Sequence, residues 1–127
     1  KGVAILNFGT LLPTALAVAD QLDASVWDMR FAKPLDHAAI EEAAAQHDLI
    51  VTLEENAIMG GAGSAVNEYL AQSALVLPVM NFGLPDCLIE HGKREQLLDL
   101  LGLTPAKLYA SITDRLRLLK TTKQAAL

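Results

Sequence analysis

Two adjacent carboxylates, Glu54 and Glu55, stand a few residues before a glycine-rich turn in the middle of the chain. The turn contains three glycines, Gly60, Gly61 and Gly63. Paired carboxylates can perform general acid–base chemistry when burial raises the pKa of one of them. A glycine-rich turn that leads into a helix can bind a phosphate through free backbone N–H groups. The stretch therefore has to be tested against both kinds of site.

The two carboxylates are unsuited to share a proton. Glu54 and Glu55 are neighbours at the end of a predicted strand, and successive strand side chains point to opposite faces of a sheet. Without a bulge they cannot form a dyad. We expect one to point into the rim of the sheet and the other elsewhere.

The glycine turn also departs from phosphate-binding patterns. In the run Gly61-Ala62-Gly63-Ser64-Ala65-Val66, a valine stands where the dinucleotide fingerprint has a third Gly or Ala, and no Walker lysine follows. The acids place about two negative charges beside a helix N-terminus, whose dipole attracts anions. We expect a carboxylate of this chain to accept the free N–H groups itself.

The other reactive residue types indicate no site. His37, His47 and His91 are ten and forty-four residues apart, which matches no metal-ligand spacing. Cys87 is the only cysteine and has no basic neighbour that would lower the pKa of its thiol, so we expect a buried or half-buried thiol. Ser64 is not in a Gly-x-Ser-x-Gly elbow, which argues against a nucleophilic serine.

The elements that position these residues follow from the hydrophobic pattern. Apolar, β-branched runs predict strands over residues 3–8, 25–30, 49–53 and 75–82. Helices are predicted over 11–22 after a Thr10 N-cap, 37–46 after an Asp36 N-cap, 64–70, 94–101 and 105–119. Pro78 predicts that the last strand is an edge strand, because proline has no backbone N–H to donate to a neighbouring strand. The alternation predicts one α/β domain with a parallel sheet.

Four stretches carry a family resemblance, and they occur in the matching order along the chain. They are Leu6-Asn7-Phe8-Gly9-Thr10, Asp28-Met29-Arg30-Phe31-Ala32-Lys33-Pro34-Leu35-Asp36, Thr52-Leu53-Glu54-Glu55-Asn56-Ala57-Ile58-Met59-Gly60-Gly61-Ala62-Gly63-Ser64 and Asn81-Phe82-Gly83-Leu84-Pro85-Asp86. The chain resembles the C-terminal (third) domain of the 1-deoxy-D-xylulose-5-phosphate synthases of the transketolase family. The resemblance implies a three-layer α/β/α fold with strand order 2-1-3-4. We expect this domain to span residues 1–119, followed by a frayed tail over 120–127.

The resemblance also suggests a use for the crevice between strands one and three, where ligands often bind in open parallel sheets. In transketolase-family architecture this domain packs against its neighbours and helps to build the dimer. We therefore expect an interdomain or dimer contact rather than a small-molecule site. Asp28 and Arg30, at the end of strand two, should project to a common side, and ion pairing with the neighbouring rim is their preferred interpretation. The expected rim comprises Gly9, Thr10, Asp28, Arg30, Glu54, Glu55, Asn56, Gly60, Gly61, Gly63 and Ser64.

In the family, the parent enzyme decarboxylates pyruvate and joins it to glyceraldehyde 3-phosphate, using thiamine diphosphate and Mg²⁺, at the entry to isoprenoid synthesis. The Gly-Asp-Gly motif that holds the diphosphate through Mg²⁺ does not occur in these 127 residues. We therefore expect a non-catalytic fragment with no catalytic, cofactor-binding or metal-binding residue. Its expected partners are the catalytic domains and a second subunit of a homodimer.

Composition argues against several other classes of function. The net charge of −5, with no basic cluster before the tail, argues against nucleic-acid binding. Apolar runs fall short of the roughly 18 residues that a membrane span requires, and no signal peptide is visible. A single cysteine fits a reducing cytoplasm. Two alternatives stay open: the C-terminal domain of a 2-oxo acid dehydrogenase β subunit, which docks an acyltransferase core, and a free-standing flavodoxin-like ligand-binding module.

Overall fold

The computed structural model describes residues 2–30, 33–85 and 93–126. Strands and helices alternate through most of this part of the chain. The strands are β1 (Val3–Phe8), β2 (Ser25–Asp28), β3 (Leu49–Ala57) and β4 (Val79–Leu84). The helices are α1 (Leu12–Leu22), α2 (His37–Gln46), α3 (Ala62–Gln72), α4 (Arg94–Leu100) and α5 (Pro105–Ala125).

The four strands form one parallel sheet in the order β2-β1-β3-β4, which confirms the predicted topology. β1 lies between β2 and β3, and all six of its residues are buried. Because all four strands run in the same direction, their carboxyl ends share one edge of the sheet, hereafter the carboxyl edge. Gly9 and Glu54 both lie at this edge, next to the crevice between β1 and β3.

Each face of the sheet carries its own apolar core. On one face, residues such as Ile5, Val51 and Leu53 pack with α1 and α5. On the other face, Leu6 and Ile50 pack with α2 and α3. The alternation of side chains along β3 therefore places Thr52 and Glu54 on the face covered by α2 and α3.

The start of α1 differs from the prediction. Leu11, not Thr10, is the N-cap, and no side chain of the described residues caps this helix. The turn begins at Gly9, whose φ of +99° is accessible to glycine, and brings Leu11 into the core with 1% of its surface exposed. Burial of the leucine at the N-cap position takes the place of a hydroxyl cap. The Asp36 cap of α2 is confirmed by a 3.0 Å hydrogen bond from the Ala39 N–H.

β3 and α3 are longer than the pattern predicts, and β4 is displaced along the chain. β3 continues through both glutamates to Ala57, with a register irregularity against β4 after Leu53. α3 begins at Ala62 instead of residue 64. β4 starts at Val79, immediately after Pro78, and is an edge strand as predicted. β2 ends at Asp28, so Arg30 lies beyond it.

In the C-terminal part of the chain, α4 ends and α5 begins where the sequence predicts, but α5 is longer than predicted. Gly102 has φ +76° just past α4, and Pro105 occupies the first turn of α5 after Thr104. α5 stays helical to Ala125, where the apolar pattern predicts fraying from Lys120. Within the described ranges no helix combines the length and the apolarity needed to cross a bilayer.

Candidate functional site

The Glu54 carboxylate caps the N-terminus of α3. Its Oε2 accepts the Gly63 N–H at 2.7 Å, and its Oε1 accepts the Ala62 N–H at 3.0 Å. The side chain is 1% exposed, so both hydrogen bonds lie in a region from which water is excluded. The positive end of the helix dipole compensates the buried charge. The expectation that a carboxylate of this chain accepts these N–H groups is confirmed.

Three glycines pack around this carboxylate. A Cβ on Gly63 would lie 2.6 Å from Thr52 Oγ1, and one on Gly83 would lie 3.2 Å from Glu54 Cγ. A Cβ on Gly61 would overlap the Glu54 carboxylate and the Ala57 carbonyl oxygen. These glycines are needed because a buried side chain and the backbone approach one another, and that requirement exists without any ligand.

A chain of polar side chains continues from β3 to the surface. Asn81 Nδ2 donates to Thr52 Oγ1 at 2.6 Å, and Asn67 Nδ2 donates to Asn81 Oδ1 at 2.7 Å. Thr52 is fully buried beside Glu54 on the same face of β3. The network joins β3, β4 and α3, and so fixes the helix start relative to the sheet.

Glu55 has a different environment, as the strand alternation predicts. It forms an ion pair with Arg94 at the start of α4, and its side chain is 29% exposed. Despite the irregularity that follows Leu53, the two glutamates have separate partners and share no proton.

The turn itself is held by local hydrogen bonds. Ser64 Oγ donates to the Ile58 carbonyl oxygen at 2.9 Å, and the Gly61 N–H donates to the same oxygen at 3.2 Å. Gly60 has φ +70° at the tip. Because Glu54 already accepts the Ala62 and Gly63 N–H groups, the start of α3 does not fit a diphosphate, and no catalytic step through such a group is assigned to this turn.

A cleft of about 620 Å³ opens at the carboxyl edge, between β1 and β3. It brings together six of the predicted rim residues with five further residues. The predicted ones are Gly9, Arg30, Glu54, Asn56, Gly60 and Gly61, and the others are Phe8, Met29, Lys33, Ala62 and Ala65. We refer to this site as the switch-point cleft, because the strand order reverses there.

The remaining rim residues lie outside this cleft. Thr10 is exposed on the β1–α1 turn, while Glu55, Gly63 and Ser64 make the contacts given above. Asp28 lines a neighbouring cavity that also includes Arg30. Both side chains are exposed, and among the described residues Asp28 and Arg30 make no ion pair with each other. The expected ion pairing of these two residues with the neighbouring rim involves no partner among the described residues.

The histidines take part in local structure. His47 Nδ1 lies 2.9 Å from the Ala43 carbonyl oxygen at the end of α2, and its Nε2 lies 3.0 Å from Ser25 Oγ. His37 stacks on Tyr69 with ring centroids 3.9 Å apart. In the described part of the chain, no three acidic, histidine or cysteine side chains gather into a metal-binding group. Cys87 and His91 lie outside the described residues.

Sequence reasoning overlooked several residues. Lys33 faces the switch-point cleft, and Asn81 and Gly83 pack against the Glu54 region from β4. Tyr69 on α3 donates to the Glu41 carboxylate on α2, and this hydrogen bond raises the pKa of the Tyr69 phenol. Asn81 and Gly83 belong to the resemblance-bearing run 81–86, which was a usable signal. The Tyr69–Glu41 pair is 28 residues apart and had none.

Comparison with known proteins identifies the family. The family described as "Transketolase, C-terminal domain" matches residues 1–108. The chain belongs to this family. Among curated relatives, 1-deoxy-D-xylulose-5-phosphate synthase of Pseudomonas syringae pv. syringae is 55% identical over 119 residues, covering 94% of this chain and 19% of the relative. The synthase of Proteus mirabilis is 58% identical over 112 residues, covering 88% and 18%.

A solved structure described as "Split gene transketolase, inactive beta4 tetramer" superposes on this chain with a TM-score of 0.79 and 34% identity. The match covers 90% of this chain and 38% of that one. It supports the transketolase C-terminal fold for the sheet and its order. The chain spans about a fifth of the length of the curated synthases that it matches.

Proposed function

We propose that this transketolase C-terminal domain belongs to a thiamine diphosphate-dependent 1-deoxy-D-xylulose-5-phosphate synthase. Relatives at 55% and 58% identity over most of the chain carry that name. The parent reaction would decarboxylate pyruvate and join the remaining two carbons to glyceraldehyde 3-phosphate, supplying isoprenoid synthesis. Thiamine diphosphate and Mg²⁺ would be held by the rest of the parent enzyme, in the cytoplasm.

Within that enzyme we propose a non-catalytic role for these residues: contact with the catalytic domains, and with a second subunit of a homodimer, through the carboxyl edge. The observation that carries this proposal is the internal use of Glu54. Its two oxygens already accept the Ala62 and Gly63 N–H groups at the start of α3, so the glycine turn offers a rigid surface instead of an anion site. Rigid surfaces lose little conformational entropy on contact.

The exposed side chains at this edge support the same role. Met59 lies on the β3–α3 turn, beside the cleft, and is 71% exposed. Asn56 and Gly60 beside it are also exposed. An apolar side chain standing out among polar and glycine residues at a sheet edge is a feature that protein contact would cover.

The parent activity is tested with the full-length gene product and with the 127-residue chain. With pyruvate, glyceraldehyde 3-phosphate, thiamine diphosphate and Mg²⁺, the full-length protein should form 1-deoxy-D-xylulose 5-phosphate, and the 127-residue chain should form none. Absence of this product from well-folded full-length protein would refute the parent assignment. Turnover by the 127-residue chain would refute the non-catalytic role.

The docking role is tested by Met59→Lys in the full-length protein, with Val76→Lys as the matched control. Val76 is 97% exposed and precedes β4, at the opposite edge of the sheet. We expect Met59→Lys to weaken subunit or domain association at least about tenfold, since it places a charge in a closed contact. Val76→Lys should leave association unchanged. Equal effects of the two substitutions would contradict the role.

A further inference from the structure

Two cations face the switch-point cleft without a partner among the described residues. Arg30 and Lys33 both line it and are exposed, and neither makes an ion pair or hydrogen bond with any residue in the described ranges. By contrast, Arg94 at the nearby start of α4 pairs with Glu55. The cleft thus has a cationic wall on the side of the β2–α2 connection.

The acidic groups around the cleft leave this wall positive. Glu54 is 1% exposed, and both of its oxygens accept N–H groups. Asp36 accepts the Ala39 N–H and lines the adjoining cavity together with Asp28 and Arg30. Asp28 is exposed in the adjoining cavity and forms no ion pair within the part of the chain that the structure describes. Among the described residues that line the switch-point cleft itself, Arg30 and Lys33 are the charged side chains that are exposed.

The opposite wall has almost no side chains. It is formed by Gly60, Gly61, Ala62 and Ala65. Small residues permit a neighbouring backbone to approach this wall closely. A compact anion would instead need N–H donors, and the N–H groups of Ala62 and Gly63 already donate to Glu54. The exposed Met59 at the same turn adds apolar surface for such a backbone to cover.

We propose that the switch-point cleft receives a segment of the parent enzyme from outside these 127 residues, and that this segment places a carboxylate side chain between Arg30 and Lys33. The proposal rests on the function proposed above and names the chemistry of the partner. Most of the length of the relatives lies outside the matched region and could include such a segment, because the matched residues are 19% of the Pseudomonas synthase. Charge complementarity would fix the orientation of the contact and suppress wrong pairings.

Zero-length carbodiimide cross-linking of the full-length protein tests the contact directly, since it joins a lysine amine only to a carboxylate that touches it. Mass spectrometry should find Lys33 joined to an acidic residue outside the 127-residue segment. Cross-links from Lys33 only to acids within this segment, or none at all, would overturn the proposal. Docking through Met59 could still hold in that case, so the two proposals fail separately.

Charge reversal supplies the second arm. Arg30→Glu with Lys33→Glu in the full-length protein should lower hydrogen-exchange protection of residues 58–61 at least about tenfold. The matched control is Lys93→Glu with Lys120→Glu, which changes net charge equally at two exposed positions outside the cleft and should have no effect. Equal protection in both double variants would overturn the proposal. The proposal would also be overturned if the full-length protein bound inorganic phosphate saturably and lost this binding with Arg30→Glu and Lys33→Glu. A site for a small anion would then explain the two cations.

Discussion

Glu54 Oε2 accepts the Gly63 N–H at 2.7 Å, across the turn that joins β3 to α3. This bond ties the carboxyl end of a buried strand to the first turn of the following helix. Because Glu54 Oε1 holds the Ala62 N–H as well, one side chain takes the place that a phosphate occupies in nucleotide-binding turns. The anion at this helix start is therefore a carboxylate of the chain itself.

Glu54→Gln should destabilise the 127-residue chain by about 2–3 kcal/mol. The amide removes the charge and turns an NH₂ group toward a backbone donor, so a buried N–H loses its acceptor. Urea unfolding of the wild-type and variant chains measures the difference in the free energy of unfolding.

Glu68→Gln is the control for that substitution, since Glu68 is exposed on the same helix and loses the same charge. Its effect should stay within about 0.5 kcal/mol. Similar values for the two variants would show that the Glu54 hydrogen bonds contribute little to stability.

Gly63→Ala should cost about 1–3 kcal/mol. The added methyl group would lie 2.6 Å from Thr52 Oγ1 and 2.8 Å from Asn81 Nδ2, and so would disturb the polar network as well as the helix start. Thermal and urea unfolding give the loss. Gly2→Ala is the matched control because its Cβ would meet no atom within 4 Å. A tolerated Gly63→Ala would mean that β3 and α3 separate easily.

Tyr69 should titrate above its ordinary pKa near 10, because the neutral phenol donates to Glu41 and ionisation breaks that hydrogen bond. A raised pKa in the folded state stabilises the fold below pH about 10, and this contribution is lost as pH rises through the folded-state value. Ultraviolet titration of Tyr69 in a Tyr109→Phe background measures the pKa.

Glu41→Gln in the same background should lower the pKa of Tyr69, whereas Glu42→Gln, at the adjacent exposed position, should change it little. An unchanged pKa of Tyr69 in Glu41→Gln would contradict the hydrogen bond as the cause of the shift.

The residue pattern was sufficient for the parallel α/β class and for the α3 cap, and the family resemblance implied the strand order, but the ends of elements depended on tertiary contacts. β3 was predicted to end at Leu53, because two glutamates are unfavourable inside a strand. Glu54 stays buried there because α3 supplies its donors, and Glu55 stays in the strand because Arg94 lies within reach. Neither the N–H donors of α3 nor Arg94 can be identified as a partner from the pattern of residues around the two glutamates. Thr10 failed as a cap for a similar reason, since burial of Leu11 determines where α1 begins.

The residues that line the cleft were only partly predictable. The crossing of strand order places Gly9 and Glu54 at one edge, and sequence reasoning reached both. Lys33 follows β2 by several residues, and its position depends on the path of the connection into α2. The pattern of apolar residues predicts helices and strands but does not predict the path of such a connection.

Hydrogen exchange of residues 58–61 in the full-length protein and in the 127-residue chain tests the central proposal, docking through the carboxyl edge, most directly. Residues 74–77, at the opposite edge beside β4, are the internal control. We predict that exchange at 58–61 slows at least about tenfold in the full-length protein, because the edge is covered there, while exchange at 74–77 changes little. Equal exchange at 58–61 in the two proteins would contradict the proposal that this edge is a docking surface.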